Sequence, residues 1–342
     1  MQRVTIKDVA THAGVSITTA SFALNNVTGR VSKEIRRQVL KSAEELNYTA
    51  NVNARLLRTN DSNTVMLVYS HEFLLERNAS TILAIAGAMK YARDSGKEVL
   101  LSTVDIGNQL EEMVEKYKEI WASRRVEGIV FQCHFEDERD DLLYKELYKA
   151  GVNLTNISRI GRVEDYPHVY LNDYEISREQ VRFIHDKGYD EIYYLCKHSG
   201  SISVREKGYC DAVKDLGVKG KALHYDAYSR SKSQLLELIQ QVYTPGGSHI
   251  AVMCWNDVDA VNLLEVLQEY GYDVPGQIGI MGFDDMPMAV HTSPKLTTVS
   301  QPFDDMAFKA MDVLFQNAKN EDKSKKMKSI EVPGLIIERD SI

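Results

Sequence analysis

Between Asn63 and Gly282, short apolar runs alternate with stretches whose apolar residues recur every three or four positions. Thr64–Tyr69 (TVMLVY), Glu98–Ser102, Glu127–Gln132 (EGIVFQ), Val152–Ile157 and His168–Leu171 have the length and continuity of strands buried on both faces. The intervening segments read as helices: one through Ile82, Ile85, Ala86 and Met89, then Leu110–Ser123 and Leu142–Ala150. A second series follows, with helices Ser177–Lys187, Val204–Leu216, Lys232–Tyr243 and Asp257–Tyr270 between strands Glu191–Cys196, Ala222–Tyr225, Ile250–Cys254 and Ile278–Gly282. The rhythm predicts mostly parallel sheets with helices on both faces, and its repetition predicts two similar lobes.

The first 48 residues read as three short helices. Thr5-Ile6-Lys7-Asp8 has the form of a capping box, Val9, Ala10 and Ala13 continue an apolar stripe, and Gly14 suits a helix stop. Ser16 caps a second helix in which Ala20, Ala23 and Leu24 face inward and Ile17, Thr18, Ser21 and Phe22 face outward. A third begins near Ser32 and runs through Ile35, Val39, Ala43 and Leu46. Two readings fit: a helix-turn-helix, or a plain three-helix bundle with a polar face. In the first, the second helix enters the major groove. Ser16, Thr18, Thr19 and Ser21 then hydrogen-bond phosphates or base edges, and Ile17 and Phe22 touch thymine methyls. After Tyr48, residues 49 to 59 are too few for a stable isolated helix. Leu56 and Leu57 there serve either as an apolar wedge in a DNA minor groove or as packing against the larger domain.

Charge sharpens this division. The chain carries 41 Lys and Arg against 49 Asp and Glu, a net −8. The first 60 residues hold nine basic and four acidic residues, +5, leaving 32 against 45, or −13, for the remainder. A basic head on an acidic body points to a polyanion partner for the head alone. Arg3, Lys7 and Asp8 interrupt the start before an apolar run forms, and no stretch is long enough to span a bilayer, so a cytoplasmic protein without membrane contact is expected. The four cysteines, Cys133, Cys196, Cys210 and Cys254, form no CxxC pair and read as free thiols, and the nine histidines show no metal-ligand spacing. GxGxxG after a strand, GxxxxGK[ST], GxSxG and HExxH are all missing, so no enzyme, metal or cofactor is expected.

In parallel sheets ligands bind beyond the C-terminal strand ends. The residues there are Ser70-His71, Asn172-Asp173, Trp255-Asn256-Asp257 and Phe283-Asp284-Asp285. Amides, carboxylates and aromatic faces suit a polyhydroxylated ligand, although Asp and Asn after a strand also simply cap the next helix.

The opening VTIKDVATHAGVSITTASFALN resembles the DNA-binding head of the lactose-repressor/galactose-repressor (LacI/GalR) family. NYTANVNARLL, VREKGYCDAV, WNDVDAVNLLEVLQEYGYDVPGQIGIMGFDD and PKLTTVSQP extend the resemblance over essentially the whole chain. It implies an N-terminal helix-turn-helix head (1–48), a hinge (49–61) and a periplasmic-binding-protein-like body (62–342) that binds effector and dimerises. The first lobe would span about 62–160 and 292–325, the second about 161–291 and 326–342, with crossovers near 158–165, 287–297 and 322–330. A homodimer reading a palindromic stretch of double-stranded operator DNA follows, with a small carbohydrate effector releasing a repressor. The opposite sign of control, with a non-sugar co-repressor, uses the same parts, and a sugar-binding transport protein is the rival from another class. By resemblance Ile17 and Thr18 fall at base-reading positions, Thr19 and Asn25 at phosphate-contacting ones, and Leu57 at the wedge with Ala54 beside it. Thr5, Ser16, Ser21, Phe22, Tyr48, Asn51 and Arg55 complete the expected DNA-contacting set. In the body, Asp173, Arg205, Asn256 and Asp284 match effector-holding positions, and His71 and Trp255 join them. The chain departs from the family pattern where Phe22 replaces a common arginine and Ala50 a common proline, and over His71–Ser80.

Overall fold

The structure, a computed structural model, describes residues 4–25, 29–48, 62–70, 79–104, 109–132, 139–158, 165–197, 203–225, 231–318 and 329–342. The expected hinge 49–61, with Asn51, Ala54, Arg55 and Leu57, and the strand-end residue His71 lie outside them. The chain divides into two compact units, Met1–Ser62 and Asn63–Ile342.

In the first unit, α1 (Ile6–His12), α2 (Ile17–Leu24) and α3 (Lys33–Glu45) enclose a small core of Val9, Ala10, Ala13, Ala20, Ala23, Val39 and Ala43. Local chemistry sets each helix end. The Thr5 amide and hydroxyl both donate to the Asp8 carboxylate, at 2.8 and 2.7 Å. Ser16 and Ser32 accept the amides of Thr19 and Ile35, at 3.0 and 3.2 Å. Gly14, at φ 62°, closes α1: its amide donates to the Thr11 carbonyl, and Val15 reaches back to Ala10. Gln38 of α3 donates to the Ala13 carbonyl, tying the third helix to the turn between the first two.

The second unit holds two parallel sheets. The first contains β1 (Thr64–Ser70), β2 (Glu98–Val104), β3 (Gly128–Gln132), β4 (Leu154–Ser158), β5 (His168–Tyr170) and β11 (Ile330–Glu331), in the spatial order β11-β5-β4-β3-β1-β2. Its helices are α4 (Ala79–Ser95), α5 (Leu110–Ala122), α6 (Arg139–Lys149) and α11 (Phe303–Ala318), with a core on each sheet face. The second sheet contains β6 (Glu191–Lys197), β7 (Ala222–Tyr225), β8 (Ile250–Cys254) and β9 (Ile278–Met281), in the order β7-β6-β8-β9. Around it lie α7 (Asp173–Asp186), α8 (Val204–Leu216), α9 (Lys232–Gln240) and α10 (Asp257–Glu269), again with a core on both faces. A short antiparallel pair, β10 (Thr298–Ser300) and β12 (Leu335–Ile337), stands apart from both sheets in the pairing.

The crossings between lobes differ from the expected ones. β5 pairs with β4 in the first sheet, so the chain leaves that lobe after Tyr170 rather than near 158–165. Thr297 and Ser300 bridge to Met281 and Asp284 beside the second sheet, while α11 packs on α4; the return therefore falls between Ser300 and Phe303, beyond 287–297. β11 pairs with β5, and β12 pairs with β10, which moves the last crossing from 322–330 to between Glu331 and Leu335. Two- and three-residue strands carry no periodicity of their own, so the sequence could not assign them to a sheet.

The α4–α11 contact in the first lobe is close enough to require glycine. A Cβ on Gly87 would sit 1.9 Å from the Asp304 carbonyl oxygen and 2.7 Å from its Cα. Backbone cannot yield as a flexible side chain does, so Gly87→Ala is expected to cost about 1–3 kcal/mol of stability. Urea unfolding checks this, and an unchanged midpoint would show that the two helices slide apart freely.

Candidate functional site

The head presents α2 by its first turn. Ile17 is 49% exposed and Thr18 is exposed beside it, in a helix whose Ala20, Ala23 and Leu24 pack inward. An exposed isoleucine on an otherwise well-sorted helix suits contact with a thymine methyl, and a threonine hydroxyl reaches a base edge. Ser16 and Thr19 hydroxyls lie 2.8 Å apart at the start of the helix, so both are held in place at the terminus that attracts phosphate. Asn25 ends α2 with its side-chain amide donating to the Ser21 carbonyl at 2.7 Å. Ser21 and Phe22 are half-buried rather than fully outward, and Tyr48 packs against the head core. The Thr5 hydroxyl is engaged by Asp8. Lys33, Arg37 and Lys41 stand exposed along α3.

In the body, four of the six expected effector residues meet. Arg205, the second residue of α8, is 2% exposed, and its Nε donates to Asp173 Oδ2 at 3.1 Å. Its Nη1 donates to the Trp255 carbonyl at 2.7 Å, and its guanidinium lies 3.8 Å from the Phe283 ring centroid and 4.7 Å from that of Trp255. Nη2 is buried without a hydrogen-bond partner. Burial opposes the charge of Arg205, but Asp173, with Tyr194 and Asp284, outweighs it and holds the pKa above its ordinary value. Asp173 opens α7, whose cap is Asn172, so its carboxylate also faces a helix N-terminus.

Asp284 reaches the group through an unusual backbone. It holds φ 108° and Asp285 holds φ 51°, values uncommon outside glycine, in the bend that follows β9. The bend brings Asp284 Oδ1 to accept from Gln301 Nε2 at 2.7 Å and Asp285 to accept from Arg339 at 2.6 Å. Trp255, just after β8, is half-buried and packs against the core of the second lobe. Asn256 instead does what the capping alternative allowed: its Oδ1 accepts the Asp259 amide at 2.9 Å and starts α10.

Two residues were not singled out from sequence. Gln301 follows β10, 2% exposed, with its Oε1 unpaired. Its signal was the PKLTTVSQP segment, to which no role was attached. Gln132 ends β3, 3% exposed, also with an unpaired Oε1; the strand-end rule covers it. Buried polar atoms without protein partners at or just beyond strand ends, as in Gln132 and Gln301, are groups whose hydrogen bonding a polar ligand can complete.

The family comparisons fall on these same two regions. A model of bacterial regulatory proteins of the lacI family matches residues 5–51, and a periplasmic binding protein-like domain model matches residues 181–342. The chain is 27% identical over 346 residues to the HTH-type transcriptional repressor PurR of Photobacterium profundum, covering 98% of each. The same identity and length relate it to the PurR repressor of Vibrio cholerae serotype O1, covering 99% of this chain and 98% of that one. The solved lac repressor dimer bound to operator and the anti-inducer ONPF shares the fold at a TM-score of 0.82 and 21% identity, with 99% of each chain covered. A complex of the transcriptional regulator CelR with cellobiose matches at 0.66 and 22%, covering 99% of this chain and all of that one.

The chain belongs to the lacI family of bacterial regulatory proteins. As a lacI-family protein it is a DNA-binding transcriptional regulator, and the helix-turn-helix reading of the head displaces the plain three-helix bundle. No helix among the described residues is long and apolar enough to cross a membrane. The exposure of Ile17 sets a test in this regulator. Ile17→Ala is expected to weaken specific operator binding about tenfold, roughly 1.4 kcal/mol, while leaving stability unchanged. Fluorescence anisotropy with operator and scrambled duplexes measures it, and equal losses on both duplexes would remove Ile17 from base reading.

Proposed function

We propose that this regulator is a repressor that dimerises on operator DNA and is released by a small polyhydroxylated effector, a sugar or sugar derivative, held around Arg205 in the body. The observation that carries this reading is the buried Asp173–Arg205 pair with its open Nη2, joined to Asp284 and Gln301. Two carboxylates accept from hydroxyls, a guanidinium donates to them, and Trp255 offers an apolar face to sugar C–H groups. The repressor sign is supported by the names of the full-length relatives, and the sugar class by cellobiose in the CelR complex. Ile17 and Thr18 read bases in this scheme, with Ser16, Thr19 and Asn25 on phosphates. The dimer face is assigned to the first lobe, where Ile82 and Met89 of α4 are 62% and 52% exposed and Leu101 of the edge strand β2 is 52% exposed.

Mechanistically, three chain crossings connect the lobes, and a ligand bonded to residues around them favours one lobe orientation over the other. That preference is passed to the hinge segments of the paired subunits as a coupling of about 1–3 kcal/mol, or roughly 5–150-fold in operator affinity. A second reading, a planar nitrogen heterocycle such as a purine acting as co-repressor, is favoured by the carboxylate–amide pair Asp284–Gln301 beside two aromatic rings. Operator anisotropy at fixed salt, titrated with mono-, di- and phosphorylated sugars and with purines, separates the two. A sugar that weakens binding tenfold or more supports the first reading, and a purine that tightens it supports the second. Tight binding indifferent to every compound would sink both.

A further inference from the structure

Away from the effector group, three side chains with metal-binding atoms converge in the second lobe. Cys196 near the end of β6 and His224 of β7 are register partners in adjacent parallel strands, so their side chains project on the same side of the sheet. Glu206 in the first turn of α8 comes down onto that side, its Oε1 2.9 Å from His224 Nε2. One sulfur, one oxygen and one nitrogen atom of the three lie within 4.8 Å of one another. Cys196 and Glu206 are buried, at 1% and 6% exposure, while the side chain of His224 keeps 40% exposure, which leaves a route for an ion to enter.

We propose that Cys196, Glu206 and His224 form a site for a borderline-soft divalent cation of the Zn²⁺ type. No motif in the sequence announces it, because 10 and 18 residues separate Glu206 from Cys196 and His224, and only the strand register unites them. A mixed S, O and N donor set excludes the hard cations Mg²⁺ and Ca²⁺, which take oxygen ligands, and matches three-ligand zinc sites with one open position. On binding, the Cys196 thiol gives its proton to solvent as the sulfur–metal bond forms. Cys210 follows Glu206 by one helical turn and is exposed, so the fourth position falls to it or to water. Arg205 precedes Glu206, so a cation here fixes the turn of α8 that carries the guanidinium. The proposal does not depend on the identity of the effector.

The test is titration of the reduced, chelator-stripped full-length protein with Co²⁺, followed by Zn²⁺. Saturation at one Co²⁺ per chain is expected, with a thiolate-to-cobalt charge-transfer band and strong visible bands of tetrahedral coordination, both lost on adding Zn²⁺. Cys196→Ser should abolish the charge-transfer band. His224→Ala alters an exposed side chain and so separates binding from folding. It should weaken affinity by more than the roughly 10–100-fold that loss of a group merely hydrogen-bonded to a ligand costs. Cys210→Ser should keep the Cys196 band. Absence of saturable binding would overturn the proposal, as would a band that survives in both Cys196→Ser and His224→Ala.

Discussion

Replacing Arg205 with methionine is expected to lower the stability of the regulator by about 3–5 kcal/mol and to abolish its response to effector. The guanidinium is almost wholly enclosed and is the cation facing the equally buried Asp173. Methionine fills similar volume, so the loss reports electrostatics more than packing. Removing one partner of such a pair leaves a charge in a medium that solvates it poorly, whereas removing both together is often nearly neutral. The double variant Asp173→Asn, Arg205→Met should therefore recover much of the lost stability while remaining deaf to ligand. Urea unfolding of the two single variants and the double one completes the cycle, with a coupling energy of about 1 kcal/mol or more expected. Additive losses would show that the two groups do not act as a unit.

The second large effect is a pH dependence at Asp257. Burial, only partly offset by hydrogen bonds from Thr298 and the Met286 amide and reinforced by Asp284 and Asp285, raises its pKa to about 7 from an ordinary 3.8. A carboxyl whose pKa is higher in the folded protein binds protons there between about pH 4 and 7 that the unfolded chain has released. Stability from this group is greatest below the unfolded pKa and falls as pH rises through that window, levelling above about pH 7. Between about pH 5 and 8 the loss is about 2–3 kcal/mol. Other carboxylates have their own slopes, so the quantity to measure is the stability of wild type minus that of Asp257→Asn at both values. That difference should fall by the stated amount at the higher pH. A difference independent of pH would mean that the carboxylate is ionised throughout. Because Thr298 belongs to β10, beside a crossing between lobes, the same variant bears on how the lobes are held.

What was legible in the sequence follows from how local each determinant is. The three head helices fell within a residue or two of their expected ends, since Thr5 with Asp8, Ser16, Gly14 and Ser32 act on amides and carbonyls a few positions away. β1, β3, β6 and β8 were legible because strands covered on both faces need unbroken apolar runs. α11 was legible and went unassigned: Phe303, Met306, Ala307, Ala310, Met311 and Leu314 keep helical spacing, but they follow the point where the strand–helix rhythm stops. β10, β11 and β12 were not legible, being two or three residues long and defined by partners over a hundred residues away or across a crossing. The lobe boundaries were misplaced for that reason.

The candidate site divides in the same way. Asp173, Trp255 and Asp284 were marked by their places after strands, and Arg205 by resemblance alone, since nothing in VREKGY says that the arginine turns inward. Gln301 could not be found without β10, and the capping role of Asn256 shows how a strand-end asparagine serves its own helix first. Cys196, Glu206 and His224 needed the β6–β7 register, which no spacing encodes.

If a ligand in the body and DNA on the head share one equilibrium, thermodynamic linkage between them must be reciprocal. Once a compound that alters operator binding is in hand, its affinity for the full-length protein is measured by calorimetry with and without saturating operator. If the compound changes operator affinity by some factor, operator must change the affinity for the compound by that same factor, about 5–150-fold, in the same direction. A ligand affinity identical with and without operator would refute the coupling, leaving a DNA-binding head and a ligand-binding body that do not communicate.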